Sequence, residues 1–193
     1  MKKINIYFDM DGVLANFKLA AHDIPGLVNH PSNKLGTSER QAKIDAWHQV
    51  EKNPTFWRNL LQIEYATYML NTASKIGNIF VLSKAPGASK FINGEQYVKF
   101  VETEKRNWIL HNFPQFFDNE HIIICTTPKT QIIHPTYNDW LIDDRPENIS
   151  EWINAEGRGI LFNGDAFSAS AKLEHSKYLT FQKDKYKIRA HVR

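Results

Sequence analysis

Two acidic pairs are the residues of this sequence best placed to do chemistry. The first lies in Phe8-Asp9-Met10-Asp11-Gly12-Val13-Leu14. An aspartate at the C-terminal end of a parallel strand sits where ligands bind in open α/β sheets. A second aspartate two residues on can face the same ligand if the chain turns sharply, and Gly12 permits such a turn. Two neighbouring carboxylates repel each other and need a cation, a shared proton or both. That suits Mg²⁺ and phosphoryl transfer, one carboxylate attacking phosphorus while the other handles the leaving-group proton. A bare Asp-x-Asp is by itself better read as a solvated turn. The second pair, in Leu141-Ile142-Asp143-Asp144-Arg145, changes that balance. Alone it could be a helix N-cap beside a surface ion pair. Parallel topology, however, gathers the C-terminal strand ends at one sheet edge, where four carboxylates would repel one another without a divalent cation, and a metal site becomes the better explanation.

Two further residues fit this arrangement. Ser83 closes an apolar run and can offer its hydroxyl and nearby backbone N–H groups to a phosphate. Lys129, just beyond another run, can offset charge on a nucleophile and a phosphoryl group. Serines end strands and lysines decorate loops routinely, so the order is what matters: Asp pair, Ser, Lys, Asp pair.

The elements that must position these residues are legible as short apolar runs. Ile4–Phe8, Asn78–Ser83, His121–Cys125, Trp140–Asp143 and Gly159–Phe162 read as five buried strands of a parallel sheet. Helical spacing recurs at Ser38–Lys52, at Ile63–Lys75 before Gly77, at Tyr97–Asn112 before Pro114, and at Pro146–Ala155 before Gly157. About seventy residues separate the first two strands, far more than one crossover helix uses. A helical cap is therefore expected over residues 16–62, inserted into a Rossmann-like α/β core of residues 1–15 and 63–193. The aromatic residues Phe17, Trp47, Phe56 and Trp57 predict that this insert is packed.

Composition sets the outer limits. The chain has 193 residues, 42% hydrophobic and 23% charged, which excludes disordered and fibrous classes. A single cysteine excludes a disulfide framework and a cysteine-rich zinc site, and Cys125 reads as a small core residue. Eight histidines show no metal-ligand spacing. No apolar run approaches the roughly 18 residues a membrane span needs. The start soon meets Asp9 and Asp11, so no signal peptide and a cytoplasmic location are expected. A net charge of +3 is too small to imply a nucleic-acid partner. The basic excess lies from Lys172 onward, with seven basic residues against Glu174 and Asp184, leaving a net −2 before it. The alternation of Tyr186-Lys187-Ile188-Arg189 reads as an edge strand with a basic face, charge there serving to block aggregation. Asn163-Gly164-Asp165 reads as a turn.

With these residues in place, the chain resembles the haloacid dehalogenase superfamily of phosphotransferases. Asp9-Met10-Asp11-Gly12-Val13-Leu14-Ala15 is similar to its first motif, Ser83 to its second, Lys129 to its third and Asp143-Asp144 to its fourth. The likeness is closer to the 5'(3')-deoxyribonucleotidase family, through Val13-Leu14-Ala15-Asn16-Phe17, Pro54-Thr55-Phe56-Trp57-Arg58, Glu104-Lys105-Arg106-Asn107-Trp108 and Leu141-Ile142-Asp143-Asp144-Arg145-Pro146. It runs from Lys3 to Phe162. Asn16 stands where that family usually has an acidic residue, and Ser83 replaces a commoner threonine.

The resemblance implies a Mg²⁺-dependent phosphatase acting on nucleoside monophosphates through an aspartyl-phosphate on Asp9, with Asp11 as acid and base. It implies Mg²⁺ bound by Asp9, the Asp11 carbonyl and Asp143, with Asp144 nearby. Ser83, the Lys84 and Gly12 amides, Lys129 and additionally Lys105 would hold the phosphate, and Phe17, Phe56 and Trp57 would wall the base and sugar. A phosphatase for another small phosphomonoester, a nucleic-acid end phosphatase and a non-catalytic nucleotide-binding module are the alternatives. A homodimer is compatible with all of them.

Overall fold

The computed structural model describes residues 4–27 and 37–175, with side chains of the segment after the first gap described from Arg40. Five parallel strands form one sheet: β1 (Asn5–Phe8), β2 (Asn78–Lys84), β3 (Ile122–Cys125), β4 (Asp139–Asp143) and β5 (Arg158–Leu161), in the order β3-β2-β1-β4-β5. β1 is central. Phe8 pairs with Val81 on one side and Ile142 on the other, so the C-terminal ends of β1, β2 and β4 lie level. The inner strands β1, β2 and β4 are largely buried on both faces, which is why they read as continuous apolar runs, while the edge strand β5 buries Ile160 and exposes Leu161. Ile6, Phe8, Val81 and Ile142 join the larger core, while Tyr7, Leu82, Cys125 and Leu141 face a smaller cluster around Ile149 and Trp152.

Helices fill the connections. Between β1 and β2 lie α1 (Phe17–Ala21), α2 (Thr37–Lys52) and α3 (Ala66–Ser74). α4 (Gly94–Asn112) precedes β3, α5 (Lys129–Ile133) follows it, and α6 (Pro146–Asn154) joins β4 to β5. A further helix, α7, spans 166–175. α3 begins three residues later than its periodicity predicts. The Ile63 N–H instead donates to the Leu14 carbonyl, and Tyr65 takes a left-handed φ of 61° that no helix can include. α7 was not predicted. Its cap is Asp165, whose side chain accepts from the Phe167 and Ser168 N–H groups, and Ala166, Ala169 and Leu173 reach the main core.

The long first connection returns to its starting point. The Asn16 N–H donates to the Leu61 carbonyl at 2.7 Å and the Ile63 N–H to the Leu14 carbonyl at 2.8 Å. Residues 16–62 thus leave and rejoin the sheet side by side. Their aromatic side chains do not form a separate core: Trp47, Val50, Phe56, Trp57 and Leu60 belong to the same cluster as Ile6 and Phe8. Arg58 reaches across to α4, its Nη2 and Nε donating to the buried Glu104 carboxylate at 3.1 and 3.2 Å. Among the described residues no helix is long and apolar enough to cross a membrane. The alternating segment from Tyr186 lies outside the described residues.

Candidate active site

The site grows from the turn after β1. The Asp9 N–H donates to the Ile142 carbonyl, which sets Asp9 level with Asp143 at the end of β4. The chain then doubles back, with the Leu14 and Ala15 N–H groups both on the Met10 carbonyl. Gly12 takes φ +82° in this turn. A Cβ on it would lie 2.3 Å from Asp144 Oδ2, so only glycine lets the Asp144 carboxylate rest over the loop.

Four carboxylates meet two buried ammonium groups here. Lys129, first residue of α5, places Nζ 2.9 Å from Asp9 Oδ1 and 2.6 Å from Asp143 Oδ2. Burial alone would lower its pKa, but the Asp9 and Asp143 charges hold it above the ordinary lysine value. Lys105, from the middle of α4, has no exposed surface. Its ammonium donates to Asp11 Oδ2 at 2.6 Å, to Ser83 Oγ at 3.2 Å and to the Lys84 carbonyl at 3.0 Å, using all three protons. It also sits 5.1 Å from the Trp57 ring centre. Asp143 is fully buried and accepts from the Asn148 side chain and the Arg145 N–H as well as from Lys129. Asp144 pairs at 3.2 Å with Lys18, which is largely exposed. Asp11 Oδ1 is buried with no partner among the described residues.

This crowding shows in the titration of the acids. Burial pushes Asp11, Asp143 and Asp144 above the ordinary carboxylate range, and the Asp9 charge adds to the rise in all three. Oxygens of Asp9, Asp143 and Asp144 lie within 4.8 Å of one another. Hard oxygen donors at this spacing, near an orphaned Asp11 oxygen, fit a small divalent cation such as Mg²⁺.

Above the carboxylates opens a cavity of about 470 Å³. Asp9, Asp11, Gly12 and Asp144 contribute to its lining, together with Phe17 and Trp47, the Lys84–Gly87 turn and Lys90, and Thr126, Arg145 and Asn148. Of the three aromatic residues expected at a substrate wall, Phe17 lines this cavity. Phe56 and Trp57 pack behind it, each with its ring centre 5.8 Å from that of Phe17. Trp47 takes the wall position instead, its indole N–H buried with no acceptor among the described residues. Ser83 lies fully buried beneath Lys105, and Lys84 brings its main chain to the cavity.

Sequence reading missed Lys18, Trp47, Lys90, Thr126 and Asn148 as site residues. For Asn148 a signal existed: it stands in the first turn of a helix that begins immediately after the second acidic pair. The others depend on how residues 16–62 and the turn after β2 fold over the sheet edge, which no local pattern states.

The family model described as 5' nucleotidase, deoxy (pyrimidine), cytosolic type C protein matches residues 2–170. A 5'(3')-deoxyribonucleotidase of Clostridium acetobutylicum is 32% identical over 116 residues, covering 60% of this chain and 53% of that protein. The chain therefore spans about half the length of this curated relative. Among solved structures, a hydrolase from Streptococcus pneumoniae TIGR4 aligns with a TM-score of 0.44 at 13% identity, covering 84% of this chain and 94% of that one. A HAD-superfamily hydrolase from Ehrlichia chaffeensis aligns with a TM-score of 0.46 at 17% identity, covering 91% and 98% respectively.

Proposed function

Because this chain belongs to the family of 5' nucleotidase, deoxy (pyrimidine), cytosolic type C proteins, we propose that it is a Mg²⁺-dependent phosphomonoester hydrolase acting on nucleoside monophosphates, deoxyribonucleotides foremost. The observation that carries this reading is the convergence of Asp9, Asp11, Asp143 and Asp144 with the buried Lys105 and Lys129 at one sheet edge.

In the first step a carboxylate oxygen of Asp9 bonds to phosphorus and the bond from phosphorus to the sugar oxygen breaks. Asp11 gives that oxygen its proton. Its raised pKa, owed first to burial, favours the protonated form this step needs. In the second step Asp11 takes a proton from water, whose oxygen attacks phosphorus and frees Asp9. Lys129 offsets charge on Asp9 and on the phosphoryl oxygens. Lys105, its three protons spent on Asp11, Ser83 and the Lys84 carbonyl, holds Asp11 in place beneath the phosphate and does not touch it. The Gly12 N–H is likewise taken by the Ala15 carbonyl, so the Lys84 main chain at the cavity is left to serve the phosphate seat. Mg²⁺, held by Asp9, Asp143, the Asp11 carbonyl and Asp144, would supply Lewis-acid neutralisation of the transferring group. Residues 16–62 serve as the cap over this seat, with Phe17 and Trp47 as the apolar wall for base and sugar.

The test is phosphate release from a panel of 5' and 3' deoxy- and ribonucleoside monophosphates, with Mg²⁺ and with EDTA. EDTA-sensitive turnover of a subset of deoxynucleotides is expected, reduced at least about a thousandfold in Asp9→Asn while ligand still binds. Full turnover in Asp9→Asn, or turnover untouched by EDTA, would reject the reading.

A further inference from the structure

The cavity holds more positive charge than a monophosphate needs. Every carboxylate of the site is already paired with a lysine: Asp9 and Asp143 share Lys129, Asp11 has Lys105, and Asp144 has Lys18. Lys84, Lys90 and Arg145 remain, all on the cavity wall. Among the described residues neither Lys84 nor Lys90 has a carboxylate within ion-pair distance. Arg145 stands 3.8 Å from Glu147 with both side chains mostly exposed, a contact of little worth.

Lys90 is the informative one. It is half-buried, its ammonium 5.1 Å from the Trp47 ring centre. Burial, and then the charges of Lys43, Arg145 and Lys84, push its pKa down to about 8. A cation held against like charges and partly stripped of water opposes folding unless something else engages it. The buried N–H of Trp47, on the same wall, also has no acceptor among the described residues. Cations and a spare donor on one wall are the complement of an anion with several oxygens. The cavity volume of about 470 Å³ falls within the range of small-ligand pockets. Residues before Lys172 carry a net −2, which suits one added phosphate better than a polyanion.

We propose that Lys84, Lys90 and Arg145 form a second anion subsite, and that the preferred substrates are nucleotides bearing a second phosphate, as nucleoside 3',5'-bisphosphates do. This rests on the phosphomonoesterase reading above and narrows its substrate class. The reaction is unchanged in balance. One ester P–O bond is broken and water supplies the oxygen that joins the departing phosphate. The sugar oxygen gains a proton, and the other phosphate leaves still attached to the product.

The experiment compares thymidine 5'-monophosphate, thymidine 3',5'-bisphosphate and a 5'-phosphorylated thymidine tetranucleotide. kcat/KM is measured on the wild type, Lys90→Gln and Arg145→Gln, and Kd by calorimetry on Asp9→Asn, where binding is read without turnover. The bisphosphate should be favoured over the monophosphate by about tenfold or more in both kcat/KM and Kd. Lys90→Gln should bring that ratio close to unity by costing the bisphosphate more than the monophosphate, and added salt should shrink it. Equal values for the two thymidine nucleotides in the wild type, or a Lys90→Gln loss shared equally by both, would overturn the proposal. So would a tetranucleotide favoured over the bisphosphate, which would make the rim a groove for nucleic-acid ends. If no nucleotide is hydrolysed the phosphomonoesterase reading fails by itself, and the Kd ratio still decides the subsite.

Discussion

Lys105 and Asp11 stand 2.6 Å apart, nitrogen to oxygen, with the lysine sealed entirely from solvent. Ninety-four residues separate them in sequence, yet the lysine's other two protons go to Ser83 and the Lys84 carbonyl. α4 thereby ties the turn after β1 to the end of β2. Removing one partner of such a pair is costly because the other charge is stranded. Lys105→Met should destabilise the protein by about 3–5 kcal/mol in chemical denaturation. Lys105→Met with Asp11→Asn should recover much of that loss, and simple additivity of the two single changes would show the pair to be uncoupled.

Gly12→Ala tests the turn itself. The added Cβ meets Asp144 Oδ2 at 2.3 Å and must also adopt φ +82°. A loss of about 1–3 kcal/mol is expected, together with weaker metal binding as Asp144 is displaced. Thermal melts of the variant with and without Mg²⁺ read both effects.

Metal binding should be visible without turnover. At Mg²⁺ concentrations about a hundredfold above Kd the folded state gains about 2.7 kcal/mol. For a chain of this size that is a rise in Tm of about 5–10 °C. Asp143→Asn should abolish the rise. A shift of the same size in that variant would place the ion elsewhere.

The two aromatic layers should separate in kinetics. Trp57 is fully buried behind the cavity wall, and Trp57→Ala should cost about 3–5 kcal/mol of stability. Phe17 lines the cavity, so Phe17→Ala should cost less and raise KM for nucleotides. A KM unchanged by Phe17→Ala would remove it from the substrate wall.

Lys90 gives a pH dependence of stability with a defined sign. Its folded pKa of about 8 lies below its ordinary value of 10.5. Between those values the unfolded chain binds the extra proton, so stability contributed by this residue increases as pH rises across that window and is lost as pH falls through about 8. Lys90→Gln should therefore be more stable than the wild type at pH 7, by about 1–2 kcal/mol after solvent screening. The difference should close above pH 10.5, and denaturation midpoints measured from pH 7 to 11 check it.

The parts of this fold that were legible in the sequence are those whose cause is local. Strands inside the sheet are covered on both faces, so a run such as Ile79–Leu82 had to be apolar throughout and announced itself. Asp9 and Asp143 could be paired because parallel strands share an end. What local pattern could not supply was the partner of each charge. Nothing around Lys105 marks it as the ammonium of Asp11, since that contact depends on how α4 crosses the sheet. Phe56 and Trp57 look like wall residues by type, but Trp47 reaches the cavity because α2 turns that face inward. α7 escaped notice because its apolar positions are chiefly alanines, Ala166 and Ala169, whose small side chains give little periodic signal.

The two backbone bonds that join Asn16 to Leu61 and Leu14 to Ile63 have a consequence for how this protein can diverge. Strands bonded in this way lie about 4.8 Å apart, so a loop leaving between them closes on itself whatever its length. The exposed parts of the segment can be lengthened or trimmed while the spacing of Asp9 from Asp143 is kept, provided its core residues Trp47, Phe56 and Trp57 stay in place. Appetite for one ligand over another can then drift in those parts alone, while the machinery beneath is inherited intact.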